Sequence, residues 1–523
     1  MSRERKRDER IREDDDVPRP RGPRWGRRVF LFALLLVLLV TGGYWVWSNN
    51  SERRLTALLA QLRSEGEPVA PGDLFRQPIS ADQDAVPELR AAALAIDRMS
   101  ADWKKFNDDV SFEEGLSPEH RELIKRIAGK ESDVFALVRS ARGKPDADWQ
   151  LQFNSPLISV QLPDLNQMRD VGRIEQVAVY DRFLDGDHAE AVEHVRDTLG
   201  VGRAVNRQPF LVSHLVAAGI NGLALQEVER LGPQLEVARP GGKANVAKPA
   251  TPEQVRALIK DLLDETRVSE GFSDAMRGER VAQVDTGIAV AERRLSLAML
   301  TGMAGGGGGG GGFNPLGLVP KGLLYDDARI MADFTTKLQR AAEQSPDYPT
   351  FKKNEPPMPP EVGGASPFHV LIRVMMPSFD RAVQRHFQAR ADRRLAATVL
   401  AIRLYQADHD GQLPAKLEDL VPNYLPAVPV DPMAAGRPIR YVRDNDRPRV
   451  YSAGENGTDE GGSDKPTVTR KVVTRWDRED AIYDLKPKPV VKEAEAPATA
   501  PVTGEVTGEG SGEAERPPGA PEG

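Results

Sequence analysis

The side chains able to do chemistry in this chain are few, and their spacing works against them. With no cysteine among 523 residues, thiolate nucleophiles, thiolate metal sites and disulfides are excluded. His188 and His194 lie six residues apart, so a helix carrying both turns them to different sides, and neither belongs to H-E-x-x-H or a comparable ligand pattern. Surface or packing roles are expected for both, rather than metal ligation. Asp408-His409-Asp410 puts acids beside a base, but at a helix end just before Gly411, where short polar side chains act as solvated caps. Ser366 follows Gly363-Gly364-Ala365 and precedes Pro367-Phe368, so no G-x-S-x-G elbow exists. The glycine run Gly305 to Gly312 satisfies G-x-G-x-x-G only literally, since no strand pattern precedes it and no helix pattern opens from it. No catalytic or cofactor-binding residue is assigned by motif. An enzymatic site would have to lie in the helical region, around His188, His214 or nearby acids.

The elements that must position any such group are mostly helices. Hydrophobic residues make up 40%, charged residues 28% and aromatic residues 6%, while 46 glycines and 41 prolines gather in particular stretches. That distribution favours helices joined by breakers over a β-sandwich. Leu55, Leu58, Leu59 and Leu62 share one helical face, closed by Gly66 and Pro68. Ser117-Pro118-Glu119 opens another helix with Leu123, Ile124 and Ile127 inward. The strongest pattern runs from Arg173 to Leu231, through Ile174, Val177, Ala178, Ala191, Val195, Leu199, Leu211, Leu215 and Ala218. Asp185-Gly186-Asp187 punctuates it. The run from Asp185 to Val192 is similar to a tetratricopeptide-type turn without a second copy, which predicts a helical hairpin. Thr251-Pro252-Glu253-Gln254 is a capping-box start, and Trp149 to Leu162 reads as loop or short strand. Further on, Phe379 to Asp408 predicts one long helix, Lys416 to Leu425 a short amphipathic one, and Ile439 to Val442 and Arg449 to Ser452 two strands.

Composition divides the chain into a disordered cytoplasmic tail (1–28), a transmembrane helix (29–47), an extracytoplasmic helical region (48–232), a linker (233–250), a helical segment (251–345) interrupted by the 305–312 glycine loop, a Pro/Gly linker (346–366), a small folded domain (367–486) and a disordered tail (487–523). Val29 to Trp47 carries no charge and is long enough, at ~1.5 Å per residue, to cross a hydrocarbon core of ~30 Å. Tyr44, Trp45 and Trp47 stand where an aromatic belt belongs, and Tyr-Trp-Val-Trp offers no A-x-A cleavage site. Arg24, Arg27 and Arg28 before the span, against the mixed Glu52-Arg53-Arg54 after it, predict a single-pass inner-membrane protein with a cytoplasmic N-terminus. A net charge of -7 argues against nucleic acid as a partner.

One stretch carries a family signature. Tyr405, Gly411, Leu413-Pro414, Leu417, Leu420, Tyr424-Leu425, Pro429, Asp431-Pro432, Pro438, Tyr441, Tyr451-Ser452, Gly454 and Asn456-Gly457 together resemble the C-terminal domain of type II secretion major pseudopilins, the type II secretion protein G-like domain. The resemblance covers residues 376 to 485. Pro377 is similar to the kink proline of a pilin's first helix. The whole arrangement also resembles bacterial single-pass membrane proteins that place a helical region before such a domain. Gly26 is followed by Arg27 and Arg28, and the span holds no glutamate, so the likeness extends to fold and not to prepilin processing.

The fold class expected is α+β, predominantly α-helical: a helical hairpin region followed by a small pseudopilin-like helix-plus-antiparallel-sheet domain. The family's last loop binds Ca²⁺, which implies Asn456, Asp459, Glu460, Asp464 and Asp480 as ligand candidates here, hard oxygens of the kind calcium takes. The expected function is that of a membrane-anchored extracytoplasmic structural or protein-binding protein, linked to secretion or cell-envelope organisation. Its partners would be the lipid bilayer and envelope or secretion proteins, with no small-molecule substrate identified.

Overall fold

The computed structural model describes residues 24–96, 101–110, 112, 115–130, 132–239, 242–296, 299–300, 319–363, 369–376, 379–469 and 473–491. The tail through residue 23, the glycine run, Ser366, Pro377 and the tail from residue 492 lie outside the described residues. Helices dominate: α1 (Arg24–Ser64), α2 (Val86–Ile96), α3 (Ala101–Asp109), α4 (Pro118–Lys130), α5 (Ser132–Arg142), α6 (Asp164–Leu184), α7 (His188–Val205), α8 (Leu211–Leu231), α9 (Pro252–Leu263), α10 (Thr266–Ala291), α11 (Lys321–Gln344), the short α12 (Tyr348–Asn354), α13 (Pro360–Gly363) and α14 (Val370–Met375), and α15 (Phe379–Asp408). A three-stranded antiparallel sheet follows, β1 (Arg440–Val442), β2 (Arg449–Ala453) and β3 (Asp480–Asp484), in that spatial order.

The apolar span and the leucine-faced helix after it are one element. At ~1.5 Å per residue, the 41 residues of α1 reach about 60 Å. Its large apolar side chains from Val29 to Trp47 are exposed, from 40% at Trp47 to 68% at Phe32, whereas Leu55 and Leu62 are 2% exposed. The change follows from packing: the second half of α1 lies along α11. At the junction, a Cβ on Gly322 would fall 2.7 Å from the Trp47 ring and 2.9 Å from Ser48 Cα, so glycine there lets the two helices close. Just past α1, Glu67 accepts from Arg280 (2.6 Å) and Arg277 (3.2 Å), and Glu65 pairs with Arg340. Among the described residues one other helix, from Leu211, is long and apolar enough to cross a membrane, but half of its apolar window is buried inside the protein.

Two hydrophobic cores share α15. Leu395, Val399, Leu400 and Ile402 join the core built from α2 to α9, together with Val450 and Tyr483 of the sheet. Phe379, Val383, Phe387 and Ala391 join a second core with α10, α11, Leu55 and Trp476. Segment 233–250 is tied into the first: Leu235 and Val237 are buried, Ala238 N donates to Ala250 O (2.8 Å), and Lys248 N to Gly186 O (3.0 Å). Segment 346–366 likewise carries α12, whose Tyr348 and Phe351 fill the second core. Apolar side chains inside a Pro/Gly-punctuated stretch find a groove that composition alone does not disclose.

Locally the elements follow their chemistry. Thr251 and Gln254 form the reciprocal capping box of α9, and Asp187 caps α7 by accepting from Glu190 N. The helix α15 ends at Asp408, with Asp410 and Gly411 both at positive φ, Gly411 at 80°. The helix expected over Lys416 to Leu425 is instead a 3₁₀ turn, Leu417–Leu420, because Asp419 takes the amides of Ala415 and Lys416 and Pro422 follows at once. Trp149 to Leu162 is loop with one 3₁₀ turn, Leu157–Ser159. The strand β3, not expected from sequence, pairs Ile482 with Tyr451 and Asp480 with Ala453. Aspartate at both of its ends disguised it, since aspartate is depleted in strands.

Candidate functional site: a sealed network, an arginine-lined cavity and an acidic loop

The face of α7 carries Glu190, His194 and Asp197 at i, i+4 and i+7, so all three point the same way. Opposite them stand Glu175 of α6 and Arg139 and Arg142 of α5. His194 Nδ1 lies 2.7 Å from Glu175 Oε2 and 3.8 Å from Asp197 Oδ2. Arg139 Nε donates to Asp197 Oδ2 at 2.6 Å and its Nη2 to Glu190 Oε1 at 2.8 Å. Arg142 Nη2 donates to Glu193 Oε2 at 2.7 Å, while its Nη1 pairs with Asp197 Oδ1 at 3.0 Å without hydrogen-bond alignment. The side chains of Glu175, His194 and Asp197 are at most 2% exposed.

Desolvation sets the protonation of this network. Burial, then the Arg139 and Arg142 charges acting the other way, leaves Glu175 well above the usual carboxylate range. Burial and the neighbouring Glu175 push Asp197 up to about 7, and burial pulls His194 down to about 4. Glu227 of α8 is likewise driven well up by burial and by Glu175. Glu175, His194 and Asp197 offer ligand atoms within 4.8 Å of one another and could hold a metal ion. Two guanidiniums already neutralise Asp197, however, which weakens the call on a cation. Pairing His188 with His194 passes over this cluster; the 190, 194, 197 spacing shares one helical face, but nothing within α7 marks the partners on α5 and α6.

Beside the network, residues of α5, α7, α8, α9, α10 and α15 line a cavity of about 280 Å³. Arg142, Arg196, Arg203, Arg267 and Arg393 line it, with Asp261, Asp264, Asn206 and Asn221. None of Glu175, His194 or Asp197 reaches its wall.

His188, His214 and His409 hold packing or helix-end positions. His188 is buried and stacks on Phe183 at 4.1 Å, while its Nδ1 accepts from Glu236 N at 2.9 Å. His214 Nδ1 lies 2.8 Å from Asn206 Oδ1, and its ring meets Phe272 and His386. Burial lowers His214 to about 4. At the α15 terminus, His409 Nδ1 lies 2.8 Å from Tyr405 O, and Asp408 Oδ2 accepts from Tyr424 Oη at 2.8 Å, as helix-end groups do.

The acidic loop spends its five residues unequally. Asp480, fully buried, accepts from Gly462 N and Ser463 N at 2.9 Å each. Asp459 pairs with Arg440 (2.7 Å) and Tyr451 Oη (3.0 Å), and Asp464 pairs with Arg447 (2.7 Å). Asn456 donates to Glu460 Oε1 at 2.8 Å and accepts from Thr458 N at 2.9 Å. Asp480 Oδ1 and Glu460 Oε2 are buried without a hydrogen-bond partner. Those two orphaned oxygens fit a hard cation; Asp459 and Asp464 are neutralised by arginine.

No family model, curated protein or solved structure matches the chain.

Proposed function

We propose that the protein is a membrane-anchored, extracytoplasmic structural or binding protein of the cell envelope, whose C-terminal helix-plus-sheet unit is pseudopilin-like and carries Ca²⁺ near Glu460 and Asp480. The observation that carries the proposal is α1, bare and apolar over Val29 to Trp47 and locked to α11 and α10 immediately afterwards. Such a helix places the folded body directly against one membrane face, without a flexible tether. The basic residues at its start favour a cytoplasmic N-terminus. The succession of α15, the Leu417–Leu420 turn and a β1-β2-β3 meander supports the pseudopilin-like plan. A binding role is favoured over an enzymatic one because Glu175, His194 and Asp197, the densest cluster of perturbed groups, are at most 2% exposed and do not reach the wall of the arginine-lined cavity. Secretion or envelope proteins are the expected partners.

Carbonate extraction with protease treatment of intact spheroplasts tests the anchor. The full chain should stay in the pellet and lose its body to external protease. Release of intact protein by osmotic shock, or full protection from protease, would overturn the proposal.

A further inference from the structure

We infer that the cavity lined by α5, α7, α8, α9, α10 and α15 is a binding site for a small phosphate-type oxyanion, held chiefly by Arg203 and Arg393. The inference stands apart from the anchoring proposal. Five guanidiniums converge on a space of about 280 Å³, at the small end of the roughly 300–1,000 Å³ typical of ligand pockets. Three of them are matched: Arg142 by Glu193 and Asp197, Arg196 by Asp261 and Glu193, and Arg267 by Glu270.

The other two have no carboxylate partner among the described residues. Arg203 gives only Nη2, to the carbonyls of Arg142 (2.6 Å) and Lys144 (3.1 Å). Arg393, 6% exposed, gives Nε to Leu262 O and Nη2 to Asp261 O and Asp264 O. Each thus caps a helix C-terminus, that of α5 and that of α9, which fixes its position. Capping leaves Nε and Nη1 of Arg203 and Nη1 of Arg393 without a protein partner among the described residues, and none of these atoms is sealed from solvent. Both residues line the cavity, so these unspent donors are available beside it. Burial lowers the pKa of both groups from the usual arginine value, outweighing the nearby Asp261 and Asp264 charges that act the other way.

The carboxylates of the wall acids form their hydrogen bonds elsewhere. Asp261 is engaged by Arg196, and Asp264 Oδ1 accepts from Thr266 N at 3.1 Å. Two glycines inside α7 keep the space open. A Cβ on Gly202 would fall 2.2 Å from Asn221 Oδ1, and one on Gly200 3.1 Å from Arg142. A glycine within a helix costs about 1 kcal/mol against alanine, so both concede stability where a side chain would crowd the wall. Guanidiniums arriving from different helices suit a tetrahedral anion better than a planar carboxylate, which one fork already satisfies.

The test is calorimetric titration of the full chain in detergent with inorganic phosphate, glycerol phosphate and succinate, each at matched ionic strength in chloride. Phosphate or glycerol phosphate should bind, and the tighter of the two shows whether the anion is free or esterified. Arg203→Gln should weaken binding tenfold or more. Asn221→Asp, which puts a fixed carboxylate at the wall with no change of size, should abolish binding while leaving the melting temperature equal or higher. Because phosphate also stabilises proteins by exclusion, a melting shift that persists in both variants overturns the proposal. So does binding of succinate in preference to both phosphates, or no heat from either.

Discussion

Asp197 and Asp480 are both fully buried aspartates whose pKa burial raises, yet they are held in opposite ways. Asp197 is held by side chains from elsewhere: Arg139 and Arg142 reach it from α5, some 58 and 55 positions away in the chain, and Glu175 with His194 closes the other side. Asp480 is held by two main-chain amides of the loop that precedes its own strand. The side-chain-held site concentrates charge in a dry space, so each member depends on the others. The amide-held site depends on backbone that the strand pairing of β2 with β3 already fixes. Removing one member should therefore damage the first more than the second.

Asp197→Ala gives the largest effect. Deleting one partner of a buried ion pair costs ~3–5 kcal/mol, and the low end is expected because Glu190 and Glu193 keep a contact with each guanidinium. Denaturant unfolding of the chain in detergent should show a loss of about 3 kcal/mol. Asp480→Ala, which strands two amide donors, should cost about 2 kcal/mol. Reversal of that order would break the contrast between the two sites.

The pH dependence sharpens it. His194 falls from its ordinary 6.5 to about 4 in the folded chain, so between those values the unfolded chain binds the extra proton. Its contribution to stability is present above pH 6.5 and is lost as the pH drops toward 4. His194→Gln removes that contribution. The wild type's advantage over the variant should then shrink on acidification across this window, by at most about 1.4 kcal/mol per pH unit. Parallel stability curves from pH 4 to 6.5 would show that His194 does not titrate as its burial requires.

The same contrast decides what the sequence disclosed. The capping box at Thr251, the stop at Gly411 and the 379–408 helix were legible because each depends on residues within a few positions. The return of Asp480 to the acidic loop, 18 positions from Gly462, was expected only from the family resemblance and from no local pattern. The α7 stripe was not, since Glu190, His194 and Asp197 acquire meaning only when Arg139 and Glu175 arrive from other helices. The cavity is further out of reach: Arg203 and Arg393 lie 190 positions apart, and nothing local marks either as lacking an acid. Segments 233–250 and 346–366 read as linkers by composition, yet their described parts pack into the cores for a related cause. Their few apolar residues are buried by partners that a composition window does not see.

The smallest effect is expected at Asp464, and it bears on calcium. Asp464 and Arg447 form an ion pair with side chains 45% and 42% exposed, and such pairs contribute about 0–1 kcal/mol. Asp464→Asn in EDTA should therefore leave stability within about 0.5 kcal/mol of wild type. Millimolar Ca²⁺ should raise the wild-type melting temperature, since a cation that binds only the folded loop stabilises it by mass action. Glu460→Gln should lose most of that shift, because it neutralises one of the two orphaned carboxylates, whereas Asp464→Asn should keep it. A shift lost in Asp464→Asn but kept in Glu460→Gln would mean that Asp464 leaves Arg447 to reach the ion. The loop would then be a side-chain-held site like that of Asp197, and the distinction between the two regions would disappear when calcium is bound.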